Sequence, residues 1–142
     1  MIKKIDHLAL AIRSIEASRK FFNSVLGLEL EAIENVEDQG VKVGMLKVGD
    51  AYIELLEATS PESPVARFIE KRGEGFHHLT LEVDDIDAEL GRLRTMGVKL
   101  IDERARLGAR GSRIAFIHPQ STGGILIELC QQPMRVSRED GK

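Results

Sequence analysis

The chain contains two copies of one sequence pattern, and this internal repeat constrains the fold more than any other feature. Residues 7–12 read HLALAI and residues 78–83 read HLTLEV, and each segment is followed by a similar motif, IEA at 15–17 and IDA at 86–88. The copies also end alike, with IEL at 53–55 and again at 127–129. Each half therefore begins with a histidine and ends with a glutamate, and apolar residues flank both.

The repeated polar residues predict a metal site. Two copies of one unit packed about a pseudo-twofold axis bring His7, Glu54, His78 and Glu128 together. Two imidazoles and two carboxylates are suitable ligands for a divalent transition metal. A single strand histidine is more often a structural hydrogen-bonding residue, and a single buried glutamate is more often half of an ion pair. The recurrence of both residue types at equivalent places favours the metal site.

Length and composition fit one small domain over residues 1–142. With 42% hydrophobic residues the chain can bury one core, whereas each repeat alone is too small to be stable. The net charge of −3 and the pI near 5.8 provide no broad basic surface for nucleic acid. No segment has the length of a membrane span, the N-terminus lacks a signal-peptide pattern, and a single cysteine permits no intrachain disulfide. We therefore expect a cytoplasmic protein that has neither nucleic acid nor a membrane as a partner.

Hydrophobic periodicity and turn residues predict an α+β fold of two tandem βαβββ modules, at about 2–58 and 76–131. We expect the modules to form a curved, partly open, barrel-like sheet around the metal site. The predicted elements are strands at 2–12, 29–36, 41–48, 51–58, 76–83, 99–103, 112–118 and 124–131, helices at 15–26 and 86–96, a linker helix at about 64–72, and a flexible tail at 134–142.

Strand alternation places the candidate ligands on the concave face of this sheet. His7 and His78 lie opposite the apolar side chains that the helices cover. Glu128 shares its face with Leu126 and Cys130, where an unpaired acid is costly to bury. The Cys130 thiol has two interpretations, a small buried hydrophobic group or a neighbour of the metal.

Three other features each allow two interpretations. His77 faces away from His78 by alternation and is either structural or a contact of a ligand, and His118 is a loop residue that borders the pocket or lies outside it. The turn at 121–124 is either a plain turn or a source of backbone N–H groups for a carboxylate. A basic loop at 104–113, which we expect to be mobile, is either solvated surface or a contact for an anionic substrate; its arginines are Arg104, Arg106, Arg110 and Arg113.

The paired modules with their His/Glu/His/Glu pattern resemble the vicinal oxygen chelate superfamily, which includes glyoxalase I and the extradiol dioxygenases. Within it the chain resembles the methylmalonyl-CoA epimerase family over roughly residues 2–131. The histidine–glutamate pattern alone marks only the superfamily, whereas the two long segments at 73–86 and 108–130 are specific to the epimerases. The segments that carry the resemblance are IDH at 5–7, QGV at 39–41, SPVA at 63–66, GEGFHHLTLEVDDI at 73–86 and GARGSRIAFIHPQSTGGILIELC at 108–130.

This resemblance implies a chemistry and a set of partners. It implies metal ligation by His7, Glu54, His78 and Glu128, and interconversion of (R)- and (S)-methylmalonyl-CoA through an enolate whose charge the metal stabilises. The expected cofactor is a divalent ion, cobalt first, with manganese, nickel or zinc also compatible with mixed nitrogen and oxygen ligation. The expected partner is an acyl-CoA substrate, and the resemblance implies a homodimer.

The reaction also requires an acid–base pair, because the proton leaves one face of C2 and returns to the other. Some epimerases carry glutamine at the place of Glu54 and a glutamate at the place of Val43, and this chain departs from that pattern. We therefore predict that Glu54 and Glu128 are both catalytic, with Glu37 or Asp38 as a weaker alternative to Glu54.

Two other functions remain open for a chain of this type. A glyoxalase-I-type lactoylglutathione lyase uses the same ligands on a glutathione hemithioacetal. A non-catalytic drug-binding protein of the same fold can lack the metal ligands, so the full set of four residues in this chain argues against that function.

Overall fold

The computed structural model describes residues 1–134, and its strands form one open sheet of eight strands. The predicted tail at 134–142 lies, apart from Met134, outside the described residues. The strands are β1 (Ile2–Ala11), β2 (Leu30–Val36), β3 (Val41–Val48), β4 (Ala51–Ala58), β5 (Gly75–Val83), β6 (Arg106–Leu107), β7 (Arg113–Ile117) and β8 (Ile127–Gln131), and the helices are α1 (Ile15–Arg19), α2 (Pro64–Arg72) and α3 (Ile86–Thr95).

The sheet has the pseudo-twofold arrangement that the repeat predicts. Its strand order is β2-β3-β4-β1-β5-β8-β7-β6, so the two halves repeat one order outward from the centre. In each half the first strand pairs in parallel with the last one, β1 with β4 and β5 with β8. The antiparallel β1–β5 pair joins the halves, with His7 opposite Thr80 and Ala9 opposite His78. The prediction of an α+β fold with two repeated modules is therefore confirmed.

The helices pack on both faces of the sheet and thereby define where a site can lie. α1 and α3 cover the face opposite the histidines. Ile15 of α1 packs against Leu46 and Leu55, and Ile86 and Leu90 of α3 pack against the strands of the second module. α2 instead packs through Val65 against a cluster on the histidine face of the sheet, which includes Ala9, Ala11, Val41 and Leu56. One end of the concave face is therefore filled by α2, and the side chains of the histidines lie beyond it.

Each of the three α-helices in residues 1–134 begins after a residue whose side chain caps it. The Ser14 hydroxyl accepts a hydrogen bond from the Ala17 N–H, and the buried Ser63 hydroxyl accepts one from the Val65 N–H. Asp85, rather than Asp84, caps α3 by accepting from the Ala88 N–H. Pro64 occupies the first turn of α2, where a missing N–H costs nothing. The structure has α2 at Pro64–Arg72, the range predicted for the linker helix.

The prediction of a full strand at 99–103 is wrong, because only Leu100 forms a bridge there, to Ile117. The Asp102 carboxylate accepts the Phe116 N–H at 2.8 Å and so takes the place of a backbone carbonyl in the ladder. The chain leaves the sheet at this point and pairs again only at β6.

Two other segments also differ from the prediction. The basic segment 104–113 contains β6 and a 3-10 turn at Ala109–Gly111, so it is not an irregular loop throughout. The helix predicted at 15–26 is α-helical only to Arg19 and continues as a π-helix over Lys20–Val25. In residues 1–134 no helix combines the length and the apolar character that crossing a bilayer requires.

Core packing in the second half predicts a stability difference between two leucines. Leu90 is 1% exposed and packs in the α3 core, whereas Leu107 is 78% exposed. We expect Leu90→Ala to lower the free energy of unfolding by about 2–5 kcal/mol, because it leaves a cavity. Leu107→Ala serves as the control and should change it by less than about 0.5 kcal/mol. Urea denaturation of both variants measures the difference, and equal stabilities would contradict the assigned core.

Candidate metal centre and active site

The two repeated histidines meet at the centre of the sheet. His7 on β1 and His78 on β5 are 8% and 6% exposed, and their Nε2 atoms lie 3.3 Å apart. The rings meet edge to face, with centroids 5.4 Å apart. Because β1 and β5 are the central strands, the pseudo-twofold relation brings these two imidazoles together from opposite directions.

At each of two β-bulges, a side chain lies within hydrogen-bond distance of the Nδ1 atom of one of these histidines. The β1–β5 pairing has one β-bulge at Asp6 on β1 and another at His77 on β5. Because a bulge interrupts the alternation of side chains, each of these two side chains turns toward the histidine that follows it. The His7 Nδ1–H donates to Asp6 Oδ2 at 2.7 Å, and the Nδ1 atoms of His77 and His78 lie 2.8 Å apart. Both Nε2 atoms thus remain directed at the shared centre, and His77 is a contact of a candidate ligand.

The two repeated glutamates approach this centre in different ways. Glu54 Oε2 lies 3.3 Å from His7 Nε2. The ligand atoms of His7, Glu54 and His78 all lie within 4.8 Å of one another. Glu128 is buried on β8 and stands outside that three-residue group; its Oε1 accepts a hydrogen bond from Thr80 Oγ1 at 3.1 Å.

Thr80 links Glu128 to the histidines. It is fully buried, and its Oγ1 lies 3.0 Å from His7 Nε2 as well as 3.1 Å from Glu128. A protonated His7 completes this chain of hydrogen bonds, because it donates from Nδ1 to Asp6 and from Nε2 to Thr80, whose hydroxyl donates onward to Glu128. At the equivalent place in the first half stands Ala9, so Glu54 lacks the corresponding hydroxyl.

Burial and neighbouring charges shift the protonation of all four residues. Burial raises the pKa of Glu54, and it raises the pKa of Glu128 to about 7. Burial opposes charge on His7, but the hydrogen bond to Asp6 and the carboxylates of Glu54 and Glu128 hold its pKa above the ordinary value. Burial and the neighbouring His7 lower the pKa of His78 to about 3. Of the two imidazoles, His7 therefore binds a proton more readily than His78.

This donor set fits a divalent transition metal. Two imidazole Nε2 atoms and one carboxylate oxygen converge in a buried site, and each imidazole has its Nδ1 occupied by a neighbour, as is usual for metal-ligating histidines. His7, Glu54 and His78 would hold the ion, with Glu128 on the adjacent strand as the fourth candidate ligand. The cluster by itself does not select one metal over another.

The other residues considered from the sequence lie away from the centre or are inert. Cys130 is buried, and burial raises the pKa of its thiol to about 12, so it behaves as a small hydrophobic side chain. His118 accepts the Gln120 N–H in a 3-10 turn. Glu37 and Asp38 are exposed in the 3-10 turn before β3. Val43 packs against an apolar cluster and offers no acid or base.

The arginines of the basic segment are largely paired with carboxylates. Arg106 contacts Asp102 at 3.2 Å and Arg113 forms a bidentate pair with Asp87. Arg110 has a positive φ of 58° and lies 3.7 Å from Glu34 on β2, the opposite edge strand. This contact joins the segment beside β6 to β2, so the open sheet curves strongly enough for its two edges to approach each other.

Sequence reasoning missed two residues of the centre. Thr80 appeared only as a strand residue, and its equivalent in the first repeat is an alanine, so the repeat carried no signal for it. The ring of Phe116 on β7 packs against the ring of His78, with centroids 5.8 Å apart. The Arg106 guanidinium lies over the Phe116 ring, 5.6 Å from its centroid. Alternation along β7 places Phe116 opposite Glu128 on the neighbouring strand, which is the signal that could have found it.

Comparison with known proteins agrees with this architecture. Residues 6–116 match the model of the glyoxalase/bleomycin resistance protein/dioxygenase superfamily, and the chain belongs to that superfamily. It is 34% identical to the mitochondrial methylmalonyl-CoA epimerase of Bos taurus, over 90% of this chain and 74% of that protein. A solved methylmalonyl-CoA epimerase in complex with methylmalonyl-CoA and NH4+ superposes with a TM-score of 0.85 at 36% identity, covering 93% of this chain and 96% of that one.

A further relative carries no assigned activity. An uncharacterized protein of Bacillus subtilis is 40% identical over 92% of this chain and 93% of its own length. The relatives that have a named activity here are methylmalonyl-CoA epimerases. The family resemblance predicted from the sequence motifs is confirmed.

Removal of either histidine tests the metal centre. We expect His7→Ala and His78→Ala each to lose most of the bound divalent metal while the far-ultraviolet circular dichroism spectrum is retained, because each removes one converging Nε2 atom. His118→Ala, in a surface turn, is the matched control and should bind metal normally. Metal content after dialysis measures the result, and full occupancy in both site variants would exclude the centre.

The bulge residue Asp6 provides a second test. We expect Asp6→Ala to weaken metal affinity by about 10–100-fold, because partners that orient a metal-ligating histidine typically contribute this much. Asp6→Asn keeps an acceptor for His7 Nδ1–H and should show a smaller loss. Exposed Asp38→Ala is the control for removal of one acidic charge. Competition titration with a metal-sensitive dye measures the affinities, and an unchanged affinity in Asp6→Ala would refute the orienting role.

Proposed function

We propose that the chain is a methylmalonyl-CoA epimerase, an isomerase that interconverts the (R) and (S) forms of its acyl-CoA substrate at C2. The observation that carries the proposal is the pair of glutamates, Glu54 and Glu128, at equivalent places in the two halves beside the paired histidines. The similarity to epimerases over most of the chain supports the same function.

The reaction needs two acid–base groups. The C2 proton of methylmalonyl-CoA is weakly acidic because a thioester and a carboxylate flank the carbon. Inversion requires one group to remove this proton from one face and another to deliver a proton to the opposite face. A pseudo-twofold site suits this task, because it presents equivalent groups from two sides. In the proposed mechanism Glu54 serves one face of C2 and Glu128 serves the other.

The environment of Glu128 suits proton transfer near neutral pH. Burial raises the pKa of its carboxyl to about 7, and the Thr80 hydroxyl holds Oε1 in place. A general base is most effective when its pKa lies close to the working pH. Glu54 is half-buried, and burial raises the pKa of its carboxyl as well. The exposed Glu37 and Asp38 lack this environment, which favours Glu54 as the second base.

The histidines have a binding role in this proposal. His7 and His78, together with the glutamates, would hold a divalent ion, with cobalt first and manganese, nickel or zinc also compatible. When bound, such an ion supplies Lewis-acid stabilisation for the negative charge that develops on the thioester oxygen. Asp6 and His77 keep both Nε2 atoms directed at the centre, and Phe116 shields His78 from water on one side.

Proton NMR in deuterated water tests the function directly. With added cobalt, methylmalonyl-CoA should lose its C2 proton signal and either pure epimer should become a mixture of both. Turnover of methylglyoxal with glutathione, without reaction of methylmalonyl-CoA, would instead indicate a glyoxalase-I-type lyase. Purified protein that holds no metal and converts neither substrate would indicate the drug-binding class.

The two-base mechanism predicts the behaviour of glutamine variants. Glu54→Gln and Glu128→Gln should each abolish epimerisation, since an amide can accept no substrate proton, while much of the metal remains because an amide oxygen still ligates. Each variant should nevertheless exchange the C2 proton of one epimer with deuterium, since the remaining carboxylate still works on its own face. Opposite epimers should be exchanged by the two variants.

Exposed Glu31→Gln is the matched control and should epimerise normally. Near-normal epimerisation by metal-loaded Glu54→Gln would contradict the assignment of Glu54 and direct attention to Glu37 and Asp38. Loss of exchange for both epimers in both variants would contradict independent action of the two carboxylates.

A further inference from the structure

The strand register aligns three side chains across the sheet in each half of the centre. On β1, β5 and β8 it places Thr80 beside His7 and beside Glu128. We call these three residues the Thr80 row. The pseudo-twofold relation repeats this arrangement on β5, β1 and β4, where Ale9 would be a misreading of no kind: the middle position belongs to Ala9. The second set, the Ala9 row, consists of His78, Ala9 and Glu54.

The two rows differ in residue type only at their middle position. Thr80 and Ala9 are both fully buried, so the surroundings of each are protein groups. A threonine hydroxyl brings one hydrogen-bond donor and two acceptor positions, whereas the methyl group of alanine brings none. Because a buried hydroxyl is costly without partners, Thr80 must be matched by polar groups beside it. The neighbours in its own row, His7 and Glu128, supply those groups.

The Thr80 hydroxyl restrains one oxygen of Glu128. Thr80 Oγ1 donates a hydrogen bond to Glu128 Oε1 at 3.1 Å. Within residues 1–134 no other side chain donates a hydrogen bond to this carboxyl. The branched side chain of threonine has few rotamers, so its hydroxyl keeps this position at a small cost in conformational entropy. The Glu128 carboxyl is therefore held in one orientation by a rigid neighbour.

Glu54 has no such hydroxyl beside it and takes a different position. Its Oε2 lies 3.3 Å from Nε2 of His7, the histidine of the other row, and it joins the cluster of converging ligand atoms with His7 and His78. Glu128 stands outside that cluster, although it occupies the equivalent place in the strand register. The two glutamates therefore differ in position where their rows differ in the middle residue.

We propose that Thr80 is a positioning residue for Glu128 and that it makes the two faces of the active site unequal. By holding Oε1, the hydroxyl keeps the Glu128 carboxyl beside the cluster and aimed at one face of C2, whereas Glu54 serves the other face without this support. This inference rests on the proposed function and adds to it a residue that acts through Glu128 rather than on the substrate. Loss of the hydroxyl should therefore slow proton transfer at one face of C2.

The test removes the hydroxyl in two ways. Thr80→Val keeps the branched shape of the side chain, and Thr80→Ala gives this row the residue that the other row already has at its buried middle position. Thr80→Ser keeps a hydroxyl and should behave like the unaltered protein. Thr95→Val is the matched control, because it removes an exposed threonine hydroxyl at the end of α3.

Proton NMR in deuterated water measures the initial loss of the C2 proton from each pure epimer of methylmalonyl-CoA. We expect Thr80→Val and Thr80→Ala to lower kcat for one epimer by about tenfold or more, because hydrogen bonds to charged groups are among the stronger ones. The KM for that epimer and both constants for the other should stay within about twofold. The slowed epimer should be the one that Glu54→Gln still exchanges, since that variant relies on Glu128.

Three kinetic results would overturn the inference. The first is equal slowing of both epimers, because a merely structural role of Thr80 would disturb the whole centre. The second is slowing of the epimer that Glu54→Gln cannot exchange, or of neither epimer. The third is a loss in Thr80→Ser as large as the loss in Thr80→Val, because the serine hydroxyl can still donate to Glu128.

Carbon NMR of the glutamate carboxyl groups separates this inference from the proposed function. In zinc-loaded protein that is isotope-labelled at glutamate Cδ, the Glu128 signal is assigned through Glu128→Gln. This signal should move in Thr80→Val and Thr80→Ala and stay in place in Thr95→Val. An unaltered protein that exchanges neither epimer would refute the proposed function, and a moved signal would still support Thr80 as the residue that holds Glu128. A signal that stays in place in both Thr80 variants would overturn the inference whatever the activity.

Discussion

The antiparallel pairing of β1 and β5 is the interaction on which the rest of the structure depends. It joins two modules that are individually too small to bury a stable core, and it does so with the two repeated histidines in the central register. If one of the two strands slipped by one residue, its histidine would turn to the face covered by α1 and α3, away from the other histidine, because side chains alternate along a strand. Bulges at Asp6 and opposite His77 hold this register and at the same time turn both residues toward the ligand nitrogens.

The strands follow a pseudo-twofold symmetry, but the side chains that surround the two histidines differ between the halves. Asp6 holds one histidine with a carboxylate and His77 holds the other with a neutral ring, while Thr80 in the second half replaces Ala9 in the first. Burying this many polar groups is costly unless each has a partner, and within residues 1–134 no buried side-chain nitrogen or oxygen lacks one. The asymmetry distinguishes the two histidines, whose pKa values shift in opposite directions, and places the two glutamates in different environments.

The basic side chains outside the centre fall into two groups that differ in their partners. Carboxylates engage Arg106, Arg110 and Arg113, and the contact of Arg110 with Glu34 spans the two edges of the sheet. In the described part of the chain, residues 1–134, Arg67, Lys71 and Arg72 on α2 pair with no carboxylate, and they line one side of a cavity next to His77. Sequence alone cannot separate these two basic regions, because both are runs of exposed cations. The difference lies in which acids the fold brings near each one, and the acids involved are distant in the chain.

The sequence by itself determined the two modules, the linker helix, and the histidine and glutamate positions, because these follow from repetition and hydrophobic periodicity. The bulge residues and Thr80 depended on tertiary structure, since alternation assumes a constant period of two that a bulge interrupts. The strand predicted at 99–103 failed for a similar reason: the Asp102 side chain, rather than the backbone, satisfies the Phe116 N–H. Local pattern thus identified the residue types and their faces, whereas the pairing of β1 with β5 decided which groups meet and at what distance.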